Sequence, residues 1–124
     1  MEKEFIPYEQ AVVLKELGFD EPCFGLYGKS KGTLFNLFKV ISEKFDDVDD
    51  LHFIKAPLYQ QAFRWFREKY SLNSFIIDSK SYNWYFNIND MVKDDVISEV
   101  LYFNTYEEAK LECLKKLIEI VKKK

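Results

Sequence analysis

The stretch Tyr106 to Lys122, YEEAKLECLKKLIEIVK, carries the clearest structural signal in the chain. Its apolar residues recur every three or four positions, which predicts an amphipathic helix with one buried face. Thr105 stands at the N-cap position, where its hydroxyl can accept a hydrogen bond from the N–H of Glu108 and Glu108 can reach back to Thr105. Cys113 falls on the apolar face, where a free thiol behaves as a small hydrophobic group.

A second helix is predicted over Pro57 to Tyr70, PLYQQAFRWFREKY, with Pro57 opening it. Its predicted apolar face is made of Leu58, Ala62, Trp65, Phe66 and Tyr70. The opposite, wet face is predicted to carry Gln61, Arg64 and Glu68. Both helices lack a nucleophile–base pair, a metal cluster and a cofactor loop. Their sequences therefore indicate a structural or binding role and not a catalytic one.

A further helix is predicted near the start of the chain, over Pro7 to Leu17. Gly18 follows it and can adopt the left-handed conformation that ends many helices. Phe19 then folds back onto Leu14 in a Schellman ending.

Five apolar or alternating segments predict β-strands. They are Cys23 to Tyr27, Thr33 to Val40, Leu51 to Ile54 (a short one), Ser74 to Asp78, and Tyr82 to Asn87, and Val96 to Phe103 is a candidate last strand. The first two flank the polar, glycine-bounded loop 28–32, which is a hairpin signal. Helix is an alternative for Leu37 to Phe45.

The 124 residues are therefore predicted to form a single domain, 1–124, of the α+β class. An antiparallel β-sheet with about three α-helices packed on it, in the order α-β-β-α-β-β-β-α, is the simplest arrangement.

The composition and net charge disfavour some classes of function and favour others. The net charge of -3 disfavours general nucleic-acid binding, which needs a basic surface. The aromatic share of 18% is high, and aromatic side chains beyond those a core needs favour a contact surface. The first ten residues, MEKEFIPYEQ, contain no apolar segment typical of a secretory signal, and no apolar run is long enough to span a bilayer. We expect a protein of the host bacterial cytosol.

Three patterns that suggest chemistry are incomplete. In Gly25 to Ser30 a phosphate loop would need a glycine where Cys23 stands, and a helix where Gly32 and Thr33 follow. His52 is the single histidine, and the aspartates before it lack the glycine and glutamate of a calcium loop. The two cysteines fit no metal or redox spacing. We expect no enzyme activity, no cofactor and no metal.

Two sets of residues are candidates for binding. The first would bind a protein partner and comprises Asp46, Asp47, Asp49, Asp50, Tyr82 and Trp84. The acidic run is typical of a solvated loop, but it could also occupy a basic groove that normally holds nucleic acid. The alternative set would bind nucleic acid directly and comprises Lys29, Lys31, Arg64 and Arg67. The ordinary interpretation of Arg64 and Arg67 is the wet face of a helix.

Three strings carry a resemblance: FIPYEQAVVLKELGFDEPCFG, APLYQQAFRWFREKY and TYEEAKLECLKKLIEIVKKK. They resemble small uncharacterised proteins encoded by phages and prophages of Bacteroidetes-type bacteria. The resemblance covers both ends of the chain and the central helix, and it brings no catalytic residues. Small size, phage context and the lack of catalytic residues are also typical of anti-CRISPR inhibitors, among them the type VI-B anti-CRISPR. That resemblance implies a host partner, a CRISPR-associated RNA-guided nuclease or its guide RNA complex, and interference with guide RNA binding or target cleavage.

Overall fold

The computed structural model describes residues 2–28, 34–36, 53–81, 83–97 and 101–123. The chain divides into two compact units, Met1–Tyr59 and Gln60–Lys124. The α+β class and the predicted order of helices and strands are confirmed, and the short strand expected at Leu51 to Ile54 adds one strand to that order before the second helix. The described strands form two three-stranded antiparallel sheets, where the sequence suggested one. In the second sheet each strand pairs with its neighbour in the sequence, whereas in the first sheet β1 lies between β2 and β3.

The first unit begins with a short 3-10 helix, Glu2–Glu4, followed by helix α1, Tyr8–Glu16. Pro7 occupies the N-cap position rather than the first helical position. At the other end, the N–H of Phe19 donates to the carbonyl of Leu14 at 2.9 Å, and the N–H of Gly18 donates to that of Lys15 at 3.0 Å. These two bonds are the Schellman ending that the sequence predicts.

We expect the substitution Gly18→Ala to destabilise the protein by about 1–2 kcal/mol, because an L-residue in the left-handed region brings its Cβ too close to the backbone. Gly18 has a φ of 102°, which makes that penalty unavoidable at this position. Chemical denaturation would measure it, with Glu16→Ala on the exposed face of α1 as the control. Equal stability of the two variants would contradict the prediction.

The first sheet has the order β2-β1-β3 and is made of β1, Gly25–Gly28, β2, Leu34–Asn36, and β3, Phe53–Ala56. The antiparallel register of β1 with β2 confirms the predicted pairing on the two sides of the loop, of which residues 29–32 lie outside the described residues. The expected short strand at Leu51 to Ile54 is present as β3, shifted by two residues. The alternative helix at Leu37 to Phe45 also lies outside the described residues.

One face of this sheet packs against the start of the chain. The hydroxyl of Tyr27 donates to the carbonyl of Ile6 at 2.6 Å, and the ring of Tyr27 meets that of Tyr8 edge to face. Gly25 and Ala56 are directly paired on the same face. Burial raises the pKa of Tyr59 to about 12, with the neighbouring Tyr27 adding to the effect.

Helix α2, Tyr59–Tyr70, begins two residues later than predicted. The carbonyl of Pro57 accepts a hydrogen bond from the N–H of Ile6 at 3.0 Å, and Leu58 forms a β-bridge with Phe5. Pro57 and Leu58 are thus held in extended conformation by the start of the chain. Gln61, predicted on the wet face of α2, is buried with 9% of its surface exposed.

The second unit contains the other sheet, with the order β4-β5-β6. Its strands are β4, Leu72–Asp78, β5, Trp84–Asp90, and β6, Asp95–Ile97. The predicted last strand, Val96 to Phe103, is present in part as β6, and Phe103 forms an isolated bridge with Trp84. A turn at 91–94 joins β5 to β6.

Helix α3, Tyr106–Lys122, has the predicted bounds. The hydroxyl of Thr105 accepts from the N–H of Glu108 at 3.1 Å, which confirms the predicted cap. Seven of its residues are buried, and α3 packs on β4 and β5. The buried set is Ala109, Lys110, Cys113, Leu114, Leu117, Ile118 and Val121.

Candidate protein-binding surface

The second sheet has two faces of different character, and its register assigns each residue to one of them. Because side chains alternate along a strand, residues directly paired across strands share a face. Ser74 is paired with Ile88 and Ile76 with Phe86, so the even-numbered residues of β4 and β5 lie together. Phe86 and Ile88 are buried, and α3 covers this inner face.

The inner face is a packed core with one thiol in it. Cys113 of α3 is buried, and burial raises its pKa to about 12, an effect that a hydrogen bond with Ser74 partly offsets. A thiol held neutral in this way is a poor nucleophile, because the thiolate is the reactive form. Cys23 is likewise buried, and its thiol donates to the carbonyl of Glu21 at 3.3 Å.

The odd-numbered residues form the opposite face and leave large apolar groups in contact with solvent. Phe75 is 44% exposed, and Val96 of β6, which is paired with Asn89, is 62% exposed. Tyr102 is 47% exposed, and its ring meets that of Tyr85 edge to face at 5.8 Å between centroids. We call this surface the outer face and define it as Phe75, Ile77, Tyr85, Val96 and Tyr102.

The outer face is uncharged along its two longer strands. The remaining odd-numbered positions of β4 and β5 are asparagines, namely Asn73, Asn87 and Asn89. Tyrosine is enriched at protein interfaces and charged residues are depleted at their centres. Asparagine adds donors and acceptors for hydrogen bonds without the desolvation cost of a charge. This composition is similar to that found at the centres of protein interfaces.

Among the residues predicted to bind a protein partner, Asp46, Asp47, Asp49, Asp50 and Tyr82 lie outside the described residues. Trp84 is described, and it lies on the inner face. Its ring contacts that of Tyr106 edge to face at 5.2 Å between centroids, and its backbone exchanges two hydrogen bonds with Phe103. Trp84 therefore serves to hold the start of α3 and the Phe103 segment against the sheet.

Among the residues of the nucleic-acid alternative, Lys29 and Lys31 lie outside the described residues. Arg64 and Arg67 are exposed on α2. The Nε of Arg64 lies 3.5 Å from a carboxylate oxygen of Glu68, one turn further along the helix. An arginine paired with a carboxylate has less positive potential to offer a phosphate. This pair matches the ordinary interpretation of a wet helix face.

Small cavities are present on the described surface, and those considered next are each bordered by lysines together with other groups. The first, of about 250 Å³, lies at the end of α1, where the Nζ of Lys55 is 3.1 Å from a carboxylate oxygen of Asp20. The second, of about 300 Å³, lies between the β5–β6 turn and the end of α3 and includes Asp90 and Lys93. The third, of about 100 Å³, is bordered by Phe86 and Lys116.

Asp90 has a structural role beside the second cavity. It is buried, and its carboxylate accepts from the N–H groups of Val92 and Lys93 at 3.1 and 3.2 Å. These bonds shape the turn between β5 and β6. Across residues 2–28, 34–36, 53–81, 83–97 and 101–123 there is no group of three or more His, Cys, Asp or Glu side chains placed to hold a metal ion.

The outer face was not among the predicted sites, although part of its signal is in the sequence. The alternation of Tyr82, Trp84 and Phe86 against Tyr85 and Asn87 shows two faces but does not tell which one a helix covers. Phe75 and Tyr102 lie beside Tyr85 only because of the pairing of their backbone segments with β5. This pairing cannot be predicted from sequence spacing alone.

In the described part of the chain, no helix has the length and apolar character needed to cross a membrane. Comparison with known proteins finds no match to the chain among protein-family models, curated proteins or solved structures.

Proposed function

We propose that the protein is a non-enzymatic phage or prophage inhibitor that acts by binding a host protein. The observation that carries this proposal is the outer face: exposed aromatic and aliphatic groups on a hydrogen-bonded sheet, without charge along β4 and β5. A sheet presents such groups in fixed positions, so little conformational entropy is lost when a partner binds. A few buried aromatic anchors of this kind supply most of the affinity in many interfaces.

The absence of charged side chains at the odd-numbered, outer-face positions of β4 and β5 favours a protein over a nucleic acid as the partner. Nucleic-acid-binding sheets also use aromatic rings, but they combine the rings with lysines and arginines that hold the phosphates. The odd-numbered positions of β4 and β5 provide aromatic, aliphatic and amide groups only. The resemblance to phage proteins supports a host RNA-guided nuclease in the bacterial cytosol as the partner.

Binding to a purified type VI-B RNA-guided nuclease, measured by biolayer interferometry, tests this proposal. We expect Tyr102→Ser to raise the dissociation constant about tenfold or more, as loss of an aromatic anchor does. Val92→Ser is the matched control, since Val92 is 78% exposed in the β5–β6 turn, away from the outer face. Its affinity should equal that of the unchanged protein.

The same assay separates the alternatives. Charge reversal of Asp46, Asp47, Asp49 and Asp50 tests whether the acidic run contributes to the contact. Ribonuclease treatment tests whether guide RNA bridges the two proteins, in which case Arg64 and Arg67 become the residues to change. Equal affinities for Tyr102→Ser and Val92→Ser would remove the outer face from the interface. If the protein does not bind the nuclease either with or without ribonuclease treatment, the assignment of the partner is overturned.

A further inference from the structure

Strand β4 lies at one edge of the second sheet, and hydrogen bonds elsewhere show which of its backbone groups point outward. The N–H and C=O of Trp84 bond to Phe103, so they point away from β4. In an antiparallel pair the bonding direction alternates from residue to residue, so Tyr85 and Asn87 bond to β4 through Ile77 and Phe75. The N–H and C=O groups of Ser74 and Ile76 therefore point to the open side of the strand.

This open edge lacks the features that normally prevent strands from pairing. Natural edge strands carry lysine, proline, a bulge or an inward charge, or are very short. From Leu72 to Ile77 the sequence LNSFII contains no charge, no proline and no glycine, and β4 pairs with β5 over all seven residues without a bulge. In the described part of the chain, β5 is the one strand paired with β4. Such an edge is suited to accept another strand.

We propose that β4 pairs with β4 of a second copy of this chain, in antiparallel orientation, about a two-fold axis at Phe75. This register uses the whole strand, because Leu72 then lies opposite Asp78 of the second copy and Asn73 opposite Ile77. The two sheets become one sheet of six strands. A two-fold axis perpendicular to the sheet keeps both outer faces on the same side.

The sequence of β4 is self-complementary in this register. Ser74 and Ile76 of one copy face Ile76 and Ser74 of the other, and their outward N–H and C=O groups form reciprocal hydrogen bonds. The two Phe75 rings meet as a cross-strand aromatic pair, a stabilising combination. Asp78 is the single charged residue of β4. The Asp78 residues of the two copies lie at opposite ends of the paired strands, so their carboxylates stay apart. Like charges, the usual obstacle to self-pairing, are absent from the centre.

Sedimentation velocity of the full chain over a concentration series tests the proposal. We expect the unchanged protein to form a dimer, and Phe75→Lys and Phe75→Glu each to weaken it at least about tenfold, because each places like charges opposite one another. An equimolar mixture of the two variants should restore the dimer, because lysine then faces glutamate. Val92→Lys is the matched control: it adds the same charge at an exposed position in the β5–β6 turn and should leave the dimer intact.

Amide hydrogen exchange on the unchanged protein gives a second measurement that needs no variant. We expect the N–H groups of Ser74 and Ile76 to become more protected as the concentration rises, while those of Phe75 and Ile77 are protected at every concentration. A monomer throughout the concentration series would overturn the proposal. A dimer that survives in Phe75→Lys, or one that Val92→Lys abolishes, would also overturn it, because the contact would then lie elsewhere.

Discussion

Replacing Phe66 with alanine should lower the free energy of unfolding by about 3–5 kcal/mol, the range for removing a phenylalanine from a packed core. The Phe66 side chain has 0% of its surface exposed, and its ring lies 5.1 Å from that of Trp65 and 6.1 Å from that of Tyr70. The cavity left by alanine would be lined by rigid rings, which cannot collapse to fill it. Chemical denaturation followed by tryptophan fluorescence measures the loss.

Arg67→Ala is the control for this substitution, because Arg67 is the next residue of α2 and is exposed. Alanine keeps the helix propensity at that position, so the free energy of unfolding should change by no more than about 0.5 kcal/mol. A loss below about 1 kcal/mol for Phe66→Ala would show that this ring does not belong to a tightly packed core.

Gly25→Ala should lower the free energy of unfolding by about 1–3 kcal/mol through overpacking. A Cβ at this position would lie 2.8 Å from a ring carbon of Phe5 and 3.2 Å from the Cβ of Ala56. Phe5 is buried with 3% of its surface exposed, and Ala56 is held in β3, so neither can move away freely. Thermal and chemical denaturation would both report the change.

A double-mutant cycle identifies the cause. Phe5→Leu removes ring atoms that the new methyl group would meet, so Gly25→Ala should cost less in the Phe5→Leu background than in the unchanged protein. Additive effects of the two substitutions would show that the penalty arises from the backbone of β1 and not from the contact with Phe5.

The helix ends could be predicted from the sequence because the interactions that set them are local. Thr105 bonds within the first turn of α3, and Gly18 closes the last turn of α1, so each signal lies within a few residues of its effect. The start of α2 could not be predicted as well. The carbonyl of Pro57 accepts a hydrogen bond from Ile6, a residue remote in sequence. Because of this contact, α2 begins two residues later than the sequence predicts.

Sheet pairing and the faces of β5 depended on contacts that sequence spacing does not encode. The sequence pattern predicts where the strands lie, but not which strands pair. The pairing of β3 with β1 forms a sheet separate from that of β4, β5 and β6, and the residues of a single strand do not indicate its partner. Trp84 and Tyr85 are neighbours of similar character, and only the position of α3 decides that Trp84 packs inside. Trp84, which the sequence predicts as a binding residue, therefore lies on the inner face, whereas the outer face of the same strand carries Tyr85.

The burial of both cysteines has a practical consequence for following this protein in solution. Because Cys23 and Cys113 are the only thiols in the sequence and both are enclosed, the native surface offers nothing for a maleimide dye to attack. A single cysteine introduced at Val92, at the exposed tip of the β5–β6 turn, would give one labelling position on an otherwise unmodified chain. Fluorescence anisotropy from a dye placed there would follow each association of the molecule without altering the residues that make the contact.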